Sequence, residues 1–121
     1  MGIDAFVVWD GKENEVPSYV PFAIDCGSRG YLREAYHGSP YAIPVLLKEC
    51  YESEDGTARI PASVLRSRLP EVIKIVIERE ASIYGNQVDE NAPVVRSFVE
   101  FVELAEKKER EGITPVFIVS Y

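Results

Sequence analysis

The last thirty residues, APVVRSFVEFVELAEKKEREGITPVFIVSY (92–121), decide the fold. Apolar residues recur in the first half of this stretch at the three- and four-residue spacing of a buried helical face. The charged run that follows is a solvated helix end, and Gly112 is a stop signal. The pattern predicts a helix over residues 92–111, opened by a side-chain cap and an acidic first turn from residues 89–91. It also predicts a closing strand over residues 116–121.

A second long helix is predicted over residues 70–84, where VIKIVI (72–77) shows the same spacing. Pro70 is expected to begin this helix, because proline is tolerated in the first helical turn but not in the interior. A separate short helix is expected to precede it over residues 61–68.

One compact α+β domain spanning residues 1–121 is the expected architecture, since 121 residues suit a single domain. Residues 1–9, which contain the β-prone run AFVVW (5–9), predict an N-terminal strand. We expect a small sheet in which the N-terminal and C-terminal strands lie side by side. The helices of residues 70–84 and 92–111 are expected to pack on one face of it.

The middle of the chain gives weaker patterns. YVPFAID (19–25) is β-prone, but Pro21 restricts it to an edge strand or an extended segment. YLREAYH (31–37) predicts two helical turns, and a second helical piece is expected from Pro40 to about residue 51. Residues 57–60 predict a short extended segment.

Composition excludes several classes of protein. Twenty acidic residues against thirteen basic ones give a net charge of −7, so the chain lacks the basic face that a nucleic-acid-binding protein uses. No stretch approaches the roughly 20 apolar residues of a membrane span, and the N-terminus does not resemble a signal peptide. We therefore expect a cytoplasmic protein that binds neither nucleic acid nor membrane.

Metal and thiol chemistry have little support in the sequence. One histidine and two cysteines, Cys26 and Cys50, do not show the spacing of a zinc site, so we expect no metal and no cofactor. Two buried free thiols are the expected state in a cytosolic protein. A disulfide between them, or a catalytic thiol paired with His37, remains as an alternative.

The segment DCGSRGYLREAYHGSPY (25–41) concentrates the residues that could perform chemistry. His37 and Glu34 are the candidate acid–base pair, because Glu34 could orient the imidazole or raise its pKa. The candidate ligand-binding residues are Arg33, Arg29, Tyr31, Tyr36 and Tyr41. The alternative is that Glu34, His37 and Arg33 form a structural network that fixes this loop-rich segment, with Tyr36 and Tyr41 as packing residues.

A second basic cluster consists of Arg59, Arg66 and Arg68, with no acidic residue between residues 57 and 70. A solvated helix face and an anion contact both fit this pattern. The nucleophile elbow of hydrolases, the phosphate-binding loop and the HExxH zinc motif are missing from the sequence.

The stretches GYLREAYHG (30–38), IPASVLRSRLPE (60–71), FVEL (101–104) and the terminal SY resemble small bacterial proteins to which no activity is assigned. The resemblance would span most of the chain. It implies a bacterial, cytoplasmic single domain, and it implies no functional residue.

The sequence favours a non-enzymatic binding domain that acts through protein–protein contacts, as a homodimer or with a basic protein partner. The alternative is a small-molecule site, for an anionic ligand or for catalysis, built around Arg33, Glu34 and His37. A third interpretation, an inhibitor or immunity-type protein, predicts a continuous acidic face from residues 10–15 and 49–55.

Overall fold

A computed structural model describes residues 2–9, 29–35 and 40–120 of the chain. Within these ranges the backbone forms four strands and four helices. In chain order they are β1 (Gly2–Val8), β2 (Arg29–Ala35), α1 (Ile43–Leu46), α2 (Lys48–Glu52), β3 (Thr57–Ala58), α3 (Ala62–Ser82), α4 (Pro93–Arg110) and β4 (Val116–Ser120).

The four strands form one antiparallel sheet in the order β2-β1-β4-β3. β1 is central and pairs with β4 from Asp4 opposite Ser120 to Val8 opposite Val116. The prediction that the two terminal strands lie side by side is therefore confirmed, and with it the α+β class. β2 lies at the edge, paired with β1 along all seven of its residues.

β1 is apolar from Ala5 to Val8 because both faces of this part of the strand are buried. Ile3, Ala5 and Val7 join the core that the helices form on one side of the sheet. Phe6 and Val8 point to the opposite side, into a smaller cluster with Tyr31 of β2. The rings of Phe6 and Tyr31 stack there with their centroids 5.2 Å apart. A strand buried on both faces has no polar alternation, which explains the unbroken run AFVVW.

α3 differs from its prediction, because it continues through Pro70 as one helix of 21 residues. An interior proline costs about 3 kcal/mol relative to alanine. Leu65 and Leu69 before it and Val72 and Val76 after it are all buried on the same face. Each of these side chains gains about 1.5–3 kcal/mol from burial, so their packing outweighs the proline. The break predicted at Pro70 is therefore wrong.

Residues 31–37 were predicted as helix, and this prediction is wrong for residues 31–35, which belong to β2. Two helical turns are too short to be stable without packing. In the strand, Leu32 and Glu34 are directed to the helical side of the sheet, whereas Tyr31 and Arg33 are directed to the other side. Residues 36–39, with the remainder of the predicted helix, lie outside the described residues.

α4 begins one residue later than predicted, and its first turn lacks the predicted side-chain cap. Its N-cap is Ala92, with no side-chain cap and no acidic residue in the first turn. The Asp89 carboxylate instead accepts a hydrogen bond of 2.9 Å from the Asn91 backbone amide. The side chain predicted to cap the helix therefore stabilises the turn before it.

The apolar faces of α3 and α4 are covered within the chain. Their buried residues pack together and against the sheet in one core. Among the described residues, Tyr84 is the large hydrophobic side chain that remains more than a third exposed, at 39%. In this part of the chain, α3 and α4 therefore present no broad uncovered apolar face that a homodimer could use. None of the described helices has the length and apolar character to cross a membrane.

The close approach of Gly56 to β4 gives a test of the sheet edge. Gly56 has a φ of +74°, and a Cβ added there would lie 2.7 Å from the Val119 carbonyl oxygen. Gly85 has a φ of +70°, with no atom within 4 Å of the added Cβ. We expect Gly85→Ala to lower the free energy of unfolding by about 1–2 kcal/mol through backbone strain alone. Gly56→Ala should lower the free energy of unfolding, measured in urea, by clearly more than Gly85→Ala does. Equal decreases for the two variants would contradict the close approach of Gly56 to Val119.

Candidate functional site

A groove lies where the start of α4 faces the edge strand β2. Its volume is about 510 Å³. The residues that line it are Tyr31, Leu32, Arg33, Pro93, Val94, Arg96, Ser97 and Glu100. We call it the β2–α4 groove. Pockets of roughly 300–1,000 Å³ are the usual size for small-molecule ligands, so this groove is large enough to hold one.

The helical wall of the β2–α4 groove follows from the spacing of α4. Pro93, Arg96, Ser97 and Glu100 stand at positions i, i+3, i+4 and i+7, which lie on one face of a helix. A neighbouring face of α4 carries the buried residues of the core, including Val95, Phe98 and Phe101. The core contacts of α4 thereby determine which polar residues face β2.

The polar groups of this wall are only weakly engaged. Arg96 Nη2 lies 3.5 Å from Glu103 Oε1, and the two side chains are 43% and 50% exposed. An exposed ion pair of this kind contributes little stability. The Ser97 hydroxyl donates to the Val94 carbonyl oxygen at 2.8 Å, so its oxygen remains an acceptor.

The strand wall holds a polar cluster made by Asp4, Tyr31 and Arg33. Asp4 and Arg33 are directly opposite each other on β1 and β2. One carboxylate oxygen of Asp4 accepts from both the Tyr31 hydroxyl and Arg33 Nη1, the latter at 2.7 Å. Burial, reinforced by the hydrogen bond to Asp4, raises the pKa of Tyr31 to about 12. The charge of Arg33 is balanced here by Asp4.

Glu34 is not among the residues that line the β2–α4 groove, and its side chain is buried on the helical side of the sheet. It is 5% exposed. Its carboxylate accepts from the backbone amides of Ala42, at 2.7 Å, and Ile43, at 3.0 Å, and from Arg79 Nη1 at 3.1 Å. These bonds join β2 to the start of α1 and to α3. Glu34 thus has structural partners, but they are not the predicted ones: Arg33 pairs with Asp4 instead, and His37 lies outside the described residues.

Arg79 is the residue of this network that sequence reasoning missed. It is 7% exposed, donates from Nη2 to the Ala35 carbonyl oxygen at 3.1 Å, and its guanidinium lies 5.0 Å from the centroid of the Tyr41 ring. A signal was present: Arg79 is seven residues after Val72 and three after Val76, on the apolar stripe of α3. A charged residue on a buried stripe requires a buried partner of opposite charge.

A smaller cavity of about 80 Å³ adjoins the β2–α4 groove and shares Arg33 and Val94 with it. Its other lining residues are Glu34, Ala35, Val76, Arg79, Glu80, Tyr84 and Phe98. Of its charged lining residues, Glu34 and Arg79 form an ion pair with each other at 3.1 Å, and Arg33 is paired with Asp4.

The predicted site residues do not converge on the β2–α4 groove. Arg33 and Tyr31 line the β2–α4 groove, whereas Glu34 is buried among the helices. Tyr41 packs over Arg79 instead of lining the groove. Arg29 is the first residue of β2, and only its backbone is described. His37 and Tyr36 lie outside the described residues.

Cys50 is fully buried, and its thiol lies 3.5 Å from the Phe117 carbonyl oxygen. Burial raises the pKa of this thiol to about 12, so it stays protonated and is a poor nucleophile at neutral pH. Cys26 lies outside the described residues. Within the described ranges, no three His, Cys, Asp or Glu side chains come together as a metal site.

The basic cluster of residues 59–68 is used for internal contacts. Arg66 forms a two-pronged ion pair with Glu106 of α4, and Arg68 forms one with Glu49 of α2. Arg59 donates to the Thr114 carbonyl oxygen at 3.3 Å. The three arginines thus connect elements of the fold. Glu49 is likewise engaged, and residues 10–15, the other half of the proposed acidic face, are not among the described residues.

Comparison with known proteins found no match: no family model, no curated protein and no solved structure matches the chain.

The buried pair of Glu34 and Arg79 predicts strong energetic coupling. We expect Glu34→Gln and Arg79→Met each to lower the free energy of unfolding by about 3–5 kcal/mol, because each leaves a buried charge without its partner. The double variant should lose less free energy of unfolding than the two single variants lose in sum. Urea unfolding of all four proteins measures this, with Arg96→Met and Glu103→Gln as the exposed control pair, for which about 0–1 kcal/mol is expected. Additive losses at residues 34 and 79 would contradict the ion pair.

Tyr31 predicts a loss of stability at alkaline pH. Its folded-state pKa of about 12 is above the ordinary value of 10.0. The unfolded chain therefore releases this proton first, and the stabilisation present below pH 10 is lost as the pH rises toward 12. Urea unfolding across this range should show a smaller decline for Tyr31→Phe than for the wild type. Asp4→Asn should lower the pKa of Tyr31, which tyrosinate absorbance can measure; an unchanged titration curve would contradict the cluster.

Proposed function

We propose that this chain is a non-enzymatic binding domain whose site is the β2–α4 groove, and that its ligand is a small molecule with an apolar body and an anionic group. The observation that supports the proposal most directly is the combination of volume and lining in one place. The groove has about 510 Å³ between a strand edge and one helix face. Ligand pockets typically combine mainly apolar walls with a few polar groups that orient the ligand.

The apolar part of the ligand is assigned to Leu32, Pro93 and Val94. Leu32 is anchored in the core and Val94 is partly buried against it, so these walls are held in place before a ligand arrives. A preformed site requires little ordering on binding, which favours affinity.

The anionic group is assigned to Arg96. Arg33 also lines the groove, but its charge is balanced by Asp4 at 2.7 Å. Arg96 has the longer, exposed contact to Glu103, at 3.5 Å. Exchanging that contact for a ligand carboxylate costs little, and a guanidinium can bind a carboxylate with two parallel hydrogen bonds.

Protein partners are the second candidate function. The net charge of −7 would speed the approach of a basic protein at low salt. A homodimer has less support, since the described apolar faces of α3 and α4 are covered within one chain. The oligomeric state, measured by light scattering, separates a homodimer from a monomer that binds a small molecule.

Filling the groove should abolish binding. We propose to titrate the protein with isocaproate, an apolar carboxylate, and to follow backbone amide resonances by NMR. We expect shifts grouped at residues 31–33 and 93–100. Ser97→Trp, whose indole would occupy the groove, should remove the shifts, while Lys107→Trp on the exposed part of α4 should keep them.

Two outcomes would contradict the proposed site. One is the absence of grouped shifts in the wild-type protein both with isocaproate and with the other ligands that carry the same apolar body. The other is unchanged binding by Ser97→Trp. Pro93→Trp, at an exposed position on the same wall, provides a second blocking variant if Ser97→Trp does not fold.

A further inference from the structure

The helical wall of the β2–α4 groove carries both signs of charge within two helical turns. Arg96 is a cation, Glu100 is an anion, and the Ser97 oxygen is an acceptor beside them. Residues four apart on a helix have Cβ atoms roughly 5–6 Å apart, and so do residues three apart. Arg96 and Ser97 are therefore both neighbours of Glu100 on the same wall.

All three groups are available to a ligand. Arg96 has its exposed 3.5 Å contact with Glu103, which a ligand can replace. No cation of the described chain lies at ion-pair distance from Glu100, and this side chain is exposed. The Ser97 hydroxyl already donates its hydrogen bond to the Val94 carbonyl oxygen, so its oxygen can accept a hydrogen bond from a ligand but the hydroxyl has no second hydrogen to donate to an anion.

From this arrangement we infer that the ligand is a small apolar α-amino acid in its zwitterionic form. Arg96 binds the carboxylate. Glu100 and the Ser97 hydroxyl oxygen accept hydrogen bonds from the ammonium group, and the apolar side chain lies against Leu32, Pro93 and Val94. The inference rests on the proposed function, since it names the class of ligand for the same groove.

Charge balance favours a zwitterion over a simple anion or amine. A plain carboxylate on Arg96 leaves the Glu100 carboxylate close to a like charge, and it leaves the Ser97 acceptor without a donor. A plain amine bound to Glu100 would lie beside the Arg96 guanidinium, which carries the same positive charge and repels it. The zwitterion offers an opposite charge to each group, while the strand-side charges of Arg33 and Asp4 balance each other.

The test compares three ligands that share one apolar body: L-leucine, isocaproate, which lacks the ammonium group, and isoamylamine, which lacks the carboxylate. Binding to the whole chain is measured by NMR titration. We expect L-leucine to bind at least about tenfold more tightly than either analogue, because charge-assisted hydrogen bonds are the stronger ones.

Two substitutions on the helical wall assign the groups. Glu100→Gln should reduce the affinity for L-leucine about tenfold and leave that for isocaproate unchanged or higher. Arg96→Gln should weaken L-leucine and isocaproate and spare isoamylamine. Glu103→Gln, which removes the surface partner of Arg96 outside the groove, is the matched control and should not weaken L-leucine. All three positions are on the solvated side of α4, and glutamine is a good helix former, so the fold should be kept.

The outcomes separate the two proposals. If isocaproate binds as tightly as L-leucine, or Glu100→Gln leaves the preference intact, the zwitterion is wrong and the groove remains a site for an apolar anion. If none of the three ligands shifts the resonances of residues 31–33 and 93–100, the proposed function itself is wrong. Tight binding of L-leucine that is lost in Glu100→Gln and kept in Glu103→Gln supports both.

Discussion

The buried carboxylate of Glu34 constrains how the edge strand meets the helices. An ionised carboxylate in an apolar interior is costly unless its charge is paired and its oxygens are hydrogen-bonded. Glu34 meets both conditions, through Arg79 of α3 and through the amides of Ala42 and Ile43 at the start of α1. A single side chain of β2 thus holds two helices in position, and a shift of β2 by one residue would break all three bonds.

A carboxylate from a distant element also accepts a hydrogen bond from a first amide at the start of α3. Neither Ala42 nor Pro61, the N-cap residues of α1 and α3, has a side chain that can accept from the first amides. Those amides need acceptors, and carboxylates from distant elements supply them. Glu34 serves α1, and Glu109 of α4 accepts from the Ala62 amide at 2.7 Å. Tertiary packing therefore replaces local capping, and each helix start is fixed by an element far away in sequence.

This explains which parts of the fold the sequence could predict. α4 and the terminal strands have strong periodic or continuous apolar patterns, and the structure has them within one or two residues of the prediction. Residues 31–35 of β2 were mistaken for helix because they carry a weak local preference that pairing with β1 overrides. The unbroken α3 was missed for a related reason, since the penalty of Pro70 is local and the burial that offsets it is not.

The candidate site shows the same division between local and tertiary information. Arg33 and Glu34 were assigned to one cluster because they are adjacent in the sequence, but successive residues of a strand point to opposite faces. Once β2 is a strand, Glu34 belongs to the core and Arg33 to the β2–α4 groove.

The arginines then separate by environment. Arg79 and Arg68 have short bonds to carboxylates and backbone carbonyls and hold elements together. Arg96 has a long, exposed contact that a ligand can displace. In a chain with a net charge of −7, most of the described arginines have an acidic partner within the protein. An arginine that binds a ligand is therefore best identified by a weak contact to its own partner, as Arg96 has with Glu103.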